Sequence, residues 1–311
     1  MRIRTAIALT GTTALLAVVP AASATTPGSN GRLVFSEETA AGFQLFTMRA
    51  DGSDVRQITS IDGDAVAPDW SPDGRRIVFE LADADHAGIA IIRSDGSGLR
   101  DLTPTGLQSQ PAFTPDGRSI VYERFVPSTG DDSIWIMRRD GSGQRRLTRD
   151  PFAGEGGDTD PNVSPDGTTV SFVRVKESDV LQALYSVHID GTNLQKLTPY
   201  ALDVGIKHDW APDGSRIAII THADLAPAGT SANVATIRPD GTGLRKLTHY
   251  RGGEINAFTG SYSPDGRWIA YRLDNHGKYS LSKIRTYGVL AQPIRRFVEA
   301  PRYIDWGTNP N

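Results

Sequence analysis

Three aspartates recur in one setting: Asp69-Trp70, Asp209-Trp210 and Asp305-Trp306. Carboxylates that a repeat returns to one level of a fold form an acidic ring. Such a ring can hold a hard cation such as Ca2+ through oxygen; the alternative is that each carboxylate bonds nearby backbone amides and orders water. One strand alternation earlier stand Gln110, Asp160, Lys207, Thr259 and Tyr303, a chemically mixed set suited to reading one partner. Asp158 lies just before Asp160 in an acidic, Gly-rich stretch from Gly154 to Asp160, for which solvated loop charge is the plainer reading. Six histidines are scattered along the chain, and no pair has the spacing of a helical zinc motif. Lys207, His208, His222 and Arg302 are the residues that would give a base and a cation to a lyase of acidic polysaccharide. No Gly-x-Ser-x-Gly nucleophile elbow occurs.

Composition narrows the chemistry further. The 311 residues include 33 Lys+Arg and 36 Asp+Glu, a formal net charge of −3. No basic surplus exists to displace counterions, which excludes an electrostatically driven nucleic-acid binder. Apolar residues make up 38 %, enough for a globular core. Cysteine is absent, and with it disulfides, thiolate catalysis, Fe–S clusters and Cys-based zinc sites.

Residues 1–24 read as a secretory signal peptide. Arg2 and Arg4 give the positive start, an apolar run follows from Thr5 to Pro20, and Ala22-Ser23-Ala24 offers small residues for cleavage. Gly11, Thr12 and Thr13 interrupt the run, which is short for a span of about 20 apolar residues. The expected mature chain begins at Thr25, is secreted or periplasmic, and has no stable membrane insertion. Residues 25–30 form a short linker, and 31–311 a single domain.

The elements that position the candidate residues come from a repeat. Ser71-Pro72-Asp73-Gly74 returns at Thr114-Pro115-Asp116-Gly117, Ser164-Pro165-Asp166-Gly167, Ala211-Pro212-Asp213-Gly214 and Ser263-Pro264-Asp265-Gly266, with Asp-to-Asp steps of 43, 50, 47 and 52 residues. Each copy leads into an apolar run such as Ile77-Val78-Phe79. A second turn alternates with it: Asp51-Gly52, Asp95-Gly96, Asp140-Gly141, Asp190-Gly191 and Asp240-Gly241, each followed by Leu-Thr or Ile-Thr. Proline presets φ, Asp bonds its own turn and Gly accepts positive φ, so each unit predicts a four-stranded antiparallel meander of about 45 residues. Gly31 to Phe35 looks like a second strand without its first, and Tyr303 to Gly307 like a first strand without its blade. The ends therefore complete one unit between them. The expectation is an all-β, six-bladed propeller of four-stranded antiparallel blades, closed by pairing of N- and C-terminal strands. In the last unit Tyr287-Gly288 replaces Asp-Gly and Arg296-Phe297 replaces Leu-Thr.

These units, aromatic-Ser-Pro-Asp-Gly-x-x-Ile-Ala/Val-Phe/Tyr ending in Leu-Thr, resemble the TolB-type Pro-Asp β-propeller repeat over roughly Gly31 to Gly307. The resemblance implies a six-bladed propeller exported across the inner membrane. In TolB proper it implies a channel mouth that receives a peptidoglycan-associated lipoprotein, and an N-terminal α/β domain that talks to the Tol membrane proteins. Only about six residues separate the leader from the first strand here, so that α/β domain is not expected, and with only residues 308–311 after Gly307 an attached peptidase domain is not expected either.

First strands line a propeller channel, and the long, variable loops gather at the face opposite the Pro-Asp-Gly turns, where binding usually lives. The favoured expectation is a monomeric, non-catalytic binding module for a protein or cell-envelope ligand at the channel and mouth, with no cofactor unless Ca2+ occupies the Asp69, Asp209 and Asp305 ring. The alternative is an extracellular metal-dependent polysaccharide lyase or hydrolase with its site at the same mouth.

Overall fold

The computed structural model describes residues 25–83, 86–149, 156–176, 181–222 and 230–310. The leader assigned to residues 1–24 lies outside them, as do Asp85, Gly154 and Glu155. The fold is an all-β propeller with a ring of blades. Its strands run β1 (Asn30–Thr39), β2 (Gly42–Arg49), β3 (Arg56–Gln57); β4 (Asp64–Trp70), β5 (Arg76–Ala82), β6 (Ala87–Arg93), β7 (Arg100–Asp101); β8 (Leu107–Phe113), β9 (Ser119–Val126), β10 (Asp131–Arg138), β11 (Arg145–Arg146). They continue with β12 (Asp158–Val163), β13 (Thr169–Val175), β14 (Gln182–His188), β15 (Gln195–Lys196); β16 (Asp209–Trp210), β17 (Ile217–Thr221), β18 (Asn233–Ile237), β19 (Arg245–Lys246); β20 (Ile255–Tyr262), β21 (Trp268–Asn275), β22 (Lys278–Arg285), β23 (Gln292–Phe297) and β24 (Arg302–Thr308).

Four sheets are four-stranded, and one of them carries the order β24-β1-β2-β3. The tail strand β24 pairs antiparallel with β1, with Leu33 opposite Trp306 and Val34 opposite Asp305, as the split unit predicts. A fifth sheet has eight strands, because one parallel bridge, Ala87 to Leu107, hooks β6 to β8. The innermost strands touch in sequence around the axis, β24 to β4, β8, β12, β16, β20 and back to β24.

The repeated residues do local work. Asp73 Oδ1 accepts from the Ser71 hydroxyl at 2.6 Å and the Arg75 amide at 3.1 Å, and Asp116, Asp166 and Asp265 repeat the pattern. Each of these bonds fixes the Pro-Asp-Gly turn that starts a second strand. At the other turn, Asp140 Oδ1 accepts from the Ser142 amide and hydroxyl, and Asp95 and Asp240 do the same with Ser97 and Thr242. The Leu-Thr pair has its own reason. Thr59, Thr103, Thr148, Thr198 and Thr248 each accept, through the hydroxyl, the amide of a third-strand residue (Leu45, Ile89, Ile134, Leu184 and Val234) at 2.7–3.0 Å. The preceding Ile58, Leu102, Leu147, Leu197 and Leu247 are buried. A hydroxyl thus completes the ladder where the outer strand ends after two residues, and β3, β7, β11, β15 and β19 stay that short. Phe297 lacks a hydroxyl, and β23 instead runs for six residues, five of them paired with β22.

Closure is tightly packed. Trp306 is 2 % exposed, and a Cβ built on Gly307 would lie 2.5 Å from Trp70 Cγ, so only glycine lets the tail strand lie against that indole. Among the described residues no helix is long and apolar enough to cross a membrane.

Candidate functional site

The inner strands share a distortion. Their pairing slips between Val66 and Asp69, Ser109 and Ala112, Thr159 and Asn162, and Thr259 and Tyr262, each slip a β-bulge or irregularity in the ladder. Within three of these slips Ala67, Gln110 and Asp160 take φ of +48°, +48° and +49°, Tyr303 takes +49° at the slip between β24 and β1, and Lys207, just before β16, takes +73°. Left-handed backbone is rare for such residues, and bulges re-aim side chains. Ala67, Gln110, Asp160, Lys207 and Tyr303 accordingly converge on one small cavity of about 10 Å3. Thr259, the sixth residue in this position, keeps negative φ; its hydroxyl donates to the Ile219 carbonyl at 3.0 Å.

Carboxylates latch this arrangement together, each holding the next unit of the ring. At the channel level Asp305 accepts from the Trp70 amide at 2.8 Å, Asp69 from the Phe113 amide at 2.8 Å, and Asp209 from the Tyr262 amide at 2.7 Å. The three aspartates proposed as metal ligands therefore each bond a backbone amide. Among the described residues no group of three or more His, Asp or Glu side chains is arranged to hold a metal ion. Nearer the mouth Asp160 Oδ2 accepts from the Lys207 amide at 2.6 Å, the His208 amide at 3.1 Å and His208 Nδ1 at 2.9 Å. Glu80 takes the Gln110 amide, and Glu123 takes the Thr159 hydroxyl.

These charges are unequal in environment. Burial, and then the Asp305 charge, pushes Asp69 well above the usual carboxylate range and Asp209 up to about 6. Burial and then Glu123 push Glu80 up to about 7 and Asp132 up to about 8. Burial alone would raise the Asp160 carboxyl, but the bond from His208 and the charges of His208 and Lys207 leave it below the usual range. Burial alone would lower the Lys207 ammonium, yet Asp305, Asp160, Asp69 and Asp209 hold it above its ordinary value.

Three expected site residues have different surroundings from those the sequence suggested. Asp158 is not loop charge. It opens β12, is fully buried, and binds Arg174 Nε at 2.6 Å and Nη2 at 2.9 Å. His208 is 1 % exposed; its Nε2 meets Ser171 Oγ at 2.7 Å while its Nδ1 meets Asp160. This is the connectivity of a Ser-His-Asp relay, but Ser171 is 0 % exposed, and its oxygen also receives Trp210 Nε1 at 2.8 Å. A nucleophile needs room for a carbonyl and donors for its oxyanion, and neither cavity that Lys207 lines is lined by Ser171. The relay holds β12, β13 and β16 together. The third is His222, nominated as a base, which lines neither cavity.

A larger cavity, about 340 Å3, opens beside the axis between β17, β20, β21 and β24. Lys207, Thr259, Tyr303, Phe258, Arg272 and Arg302 line it, and none of its lining residues is acidic. Arg272 is tied to Asp274 at 3.0 Å and stacks on Phe258, and Arg302 stacks on Phe43. Neither Lys207 nor Arg302 has a carboxylate within ion-pair distance among the described residues. Glu80, Glu123 and Asp132 lie on β5, β9 and β10, outside this lining, so acids and cations of the mouth belong to different blades. Sequence reasoning missed Glu80, Glu123 and Arg272. A signal existed: Phe79-Glu80, Tyr122-Glu123 and Tyr271-Arg272 each place a charge directly behind the apolar run of a second strand.

No family model matches the chain. Among curated proteins, an uncharacterized peptidase, YuxL, of Bacillus subtilis is 27 % identical over 205 residues, covering 55 % of this chain and 30 % of that protein. A TolB homolog of Chlorobium luteolum is 27 % identical over 149 residues, covering 48 % of this chain and 32 % of that protein. The matched region thus spans about a third of each of these relatives. Among solved structures, TolB from Acinetobacter baumannii superposes with a TM-score of 0.73 at 20 % identity, covering 90 % of this chain and 67 % of that one. Over part of its length, then, this chain shares TolB-like β-propeller homology, at distant identity.

Proposed function

We propose that the chain is an exported, non-catalytic binding module: a six-bladed propeller whose mouth receives an anionic segment of a protein or cell-envelope ligand. The eight-stranded sheet counts as two blades on this reading. Each half has its own Pro-Asp-Gly turn, Asp-Gly turn and threonine hydroxyl at the end of its outer strand, and one bridge joins them. The observation that carries the binding role is the 340 Å3 cavity, lined by Lys207 and Arg302 and by no acidic residue, with Phe258 and Tyr303 in its wall. A cation held charged in a half-buried, apolar-walled recess attracts a carboxylate or phosphate more strongly than a surface lysine does. The left-handed backbone at Lys207 and Tyr303 is an added strain that a purely structural ring would not need. Among the described residues that line the cavity there is no serine, histidine or carboxylate, and the repeated turns offer no variation with which to read a partner.

The test compares the unaltered chain with a Lys207→Met, Arg302→Met variant, immobilised and exposed to envelope and secreted fractions of the exporting cell. The expected result is a partner retained by the first and lost by the second, with the β-rich folded state of both verified by circular dichroism. Equal capture by both would move the ligand away from this cavity.

A further inference from the structure

The first described residue is not a loose end. Thr25 is 4 % exposed, and its hydroxyl donates to Asp209 Oδ2 at 2.7 Å, inside the channel. Ser261 donates to the same oxygen at 2.9 Å, and the Tyr262 amide at 2.7 Å. The segment that follows is stitched to the turn face. The Gly28 amide bonds the Pro264 carbonyl at 3.1 Å, Asn30 Oδ1 accepts from the Asp265 amide at 3.1 Å, and the Asn309 amide bonds the Ser29 carbonyl at 3.0 Å. Residues 25–30, expected to be a linker, therefore run from the channel interior to the start of β1 along a fixed path.

The charge around Thr25 is out of balance. Asp69, Asp209 and Asp305 influence one another electrostatically in the channel, and Lys207 is the cation they share. Immediately before Thr25 the sequence reads Ala22-Ser23-Ala24, the small-residue pattern at which a leader is cut. A peptide bond at the nitrogen of Thr25 carries no charge; cleavage there leaves an ammonium. Covalent geometry keeps that nitrogen within about 4 Å of its own hydroxyl oxygen, hence close to Asp209.

We propose that the acidic channel is a binding site for the chain's own processed N-terminus: removal of the leader after Ala24 creates a primary ammonium at Thr25 that Asp209, with Asp69 and Asp305 behind it, holds as an ion pair. Processing thereby completes the channel, and the ring that looks like a Ca2+ site is filled by an internal cation. The inference rests on the export reading above, and the experiment separates the two. A leader cut at another residue sinks the inference and leaves export standing.

The chain is prepared by export, with its N-terminus read by intact mass, and as a second form carrying a short neutral extension before Thr25. The exported chain is expected to begin at Thr25. Its α-amine is expected to titrate at least one unit above the ordinary value of about 7.7–8.0. The extended form is expected to melt lower at pH 7, and Asp209→Asn to abolish most of that gap. An α-amine titrating at its ordinary value in the folded exported chain overturns the proposal whether or not Asp209→Asn folds. So does a gap that persists in Asp209→Asn, or added Ca2+ that raises the melting temperature of the exported form.

Discussion

The two faces of the ring use the same residue type for different ends. On the turn face the aspartates of the repeated Pro-Asp-Gly and Asp-Gly motifs serve their own turns. Asp166 takes the Ser164 hydroxyl and the Thr168 amide, two residues away in either direction, and such bonds keep its carboxyl below the usual range although burial opposes this. On the mouth side, and in the channel beneath it, carboxylates reach across to the next blade: Asp69 to Phe113, Asp160 to Lys207 and His208, Asp209 to Tyr262. Burial pushes Asp69, Glu80, Asp132 and Asp209 upward. Repetition thus marks residues whose partners are their own neighbours in sequence. Variation marks residues whose partners belong to another blade, or to no residue of the chain.

The comparison presumes a closed ring, so breaking closure has the largest effect. Trp306 is nearly fully buried and packs with Leu33, Phe35 and Ile304 where β24 meets β1. Trp306→Ala is expected to cost about 3–5 kcal/mol, measured by denaturant unfolding, and to loosen both faces together in hydrogen exchange. A variant that loosened only the blade containing β1 would show that the two faces do not depend on closure.

The next effect is a pH dependence of opposite sign on the two faces. A carboxyl raised by folding binds its proton more tightly in the native state. The stability it contributes is complete below the unfolded value of about 4 and is lost as pH rises through the folded value. For Glu80 and Asp132 that loss runs up to about 7 and about 8. The turn aspartates Asp73 and Asp166 are lowered, so their contribution is present above about 4 and is lost only as pH falls further. A Glu80→Gln, Asp132→Asn variant is therefore expected to lose less melting temperature than the unaltered chain between pH 5 and 8, and to behave like it in acid. Identical slopes from pH 5 to 8 would mean that the mouth acids stay hydrated.

How much of this was legible in the sequence follows from the same division. Turn chemistry is local, so Ser-Pro-Asp-Gly and Asp-Gly announced the strands, and the orphan strands at Gly31–Phe35 and Tyr303–Gly307 announced their pairing. The level of Gln110, Asp160, Lys207 and Tyr303 was also legible, because strand alternation fixes which residues share a tier. Three things were not. The left-handed bulge that turns these side chains together depends on amides latched by the preceding blade. The burial of Asp158 depends on Arg174, 16 residues on. The Ser171 to His208 contact joins residues 37 apart on neighbouring blades. No periodicity carries such pairings, since they are set by which blade abuts which.

The smallest effect is the sharpest comparison, because it makes one chemical change on each side. Asp166→Asn keeps an oxygen to accept from Ser164, and asparagine tolerates the same turn. Its melting temperature is expected to match that of the unaltered chain at pH 7 within about 1–2 °C. Asp69→Asn also keeps an oxygen for the Phe113 amide, but it removes a buried negative charge that faces Asp305. Losing a buried like charge relieves repulsion and desolvation together, so in the form extended before Thr25, which has no ammonium there, this variant is expected to melt slightly higher than its parent at pH 8, and the gain is expected to shrink as pH falls and Asp69 takes up its proton. If Asp69→Asn melts lower at every pH, the channel carboxylate is serving as an anion for a bound cation, and a latch alone does not describe it. The same scan on the exported form is expected to show such a loss, because there the channel holds the chain's own ammonium at Thr25.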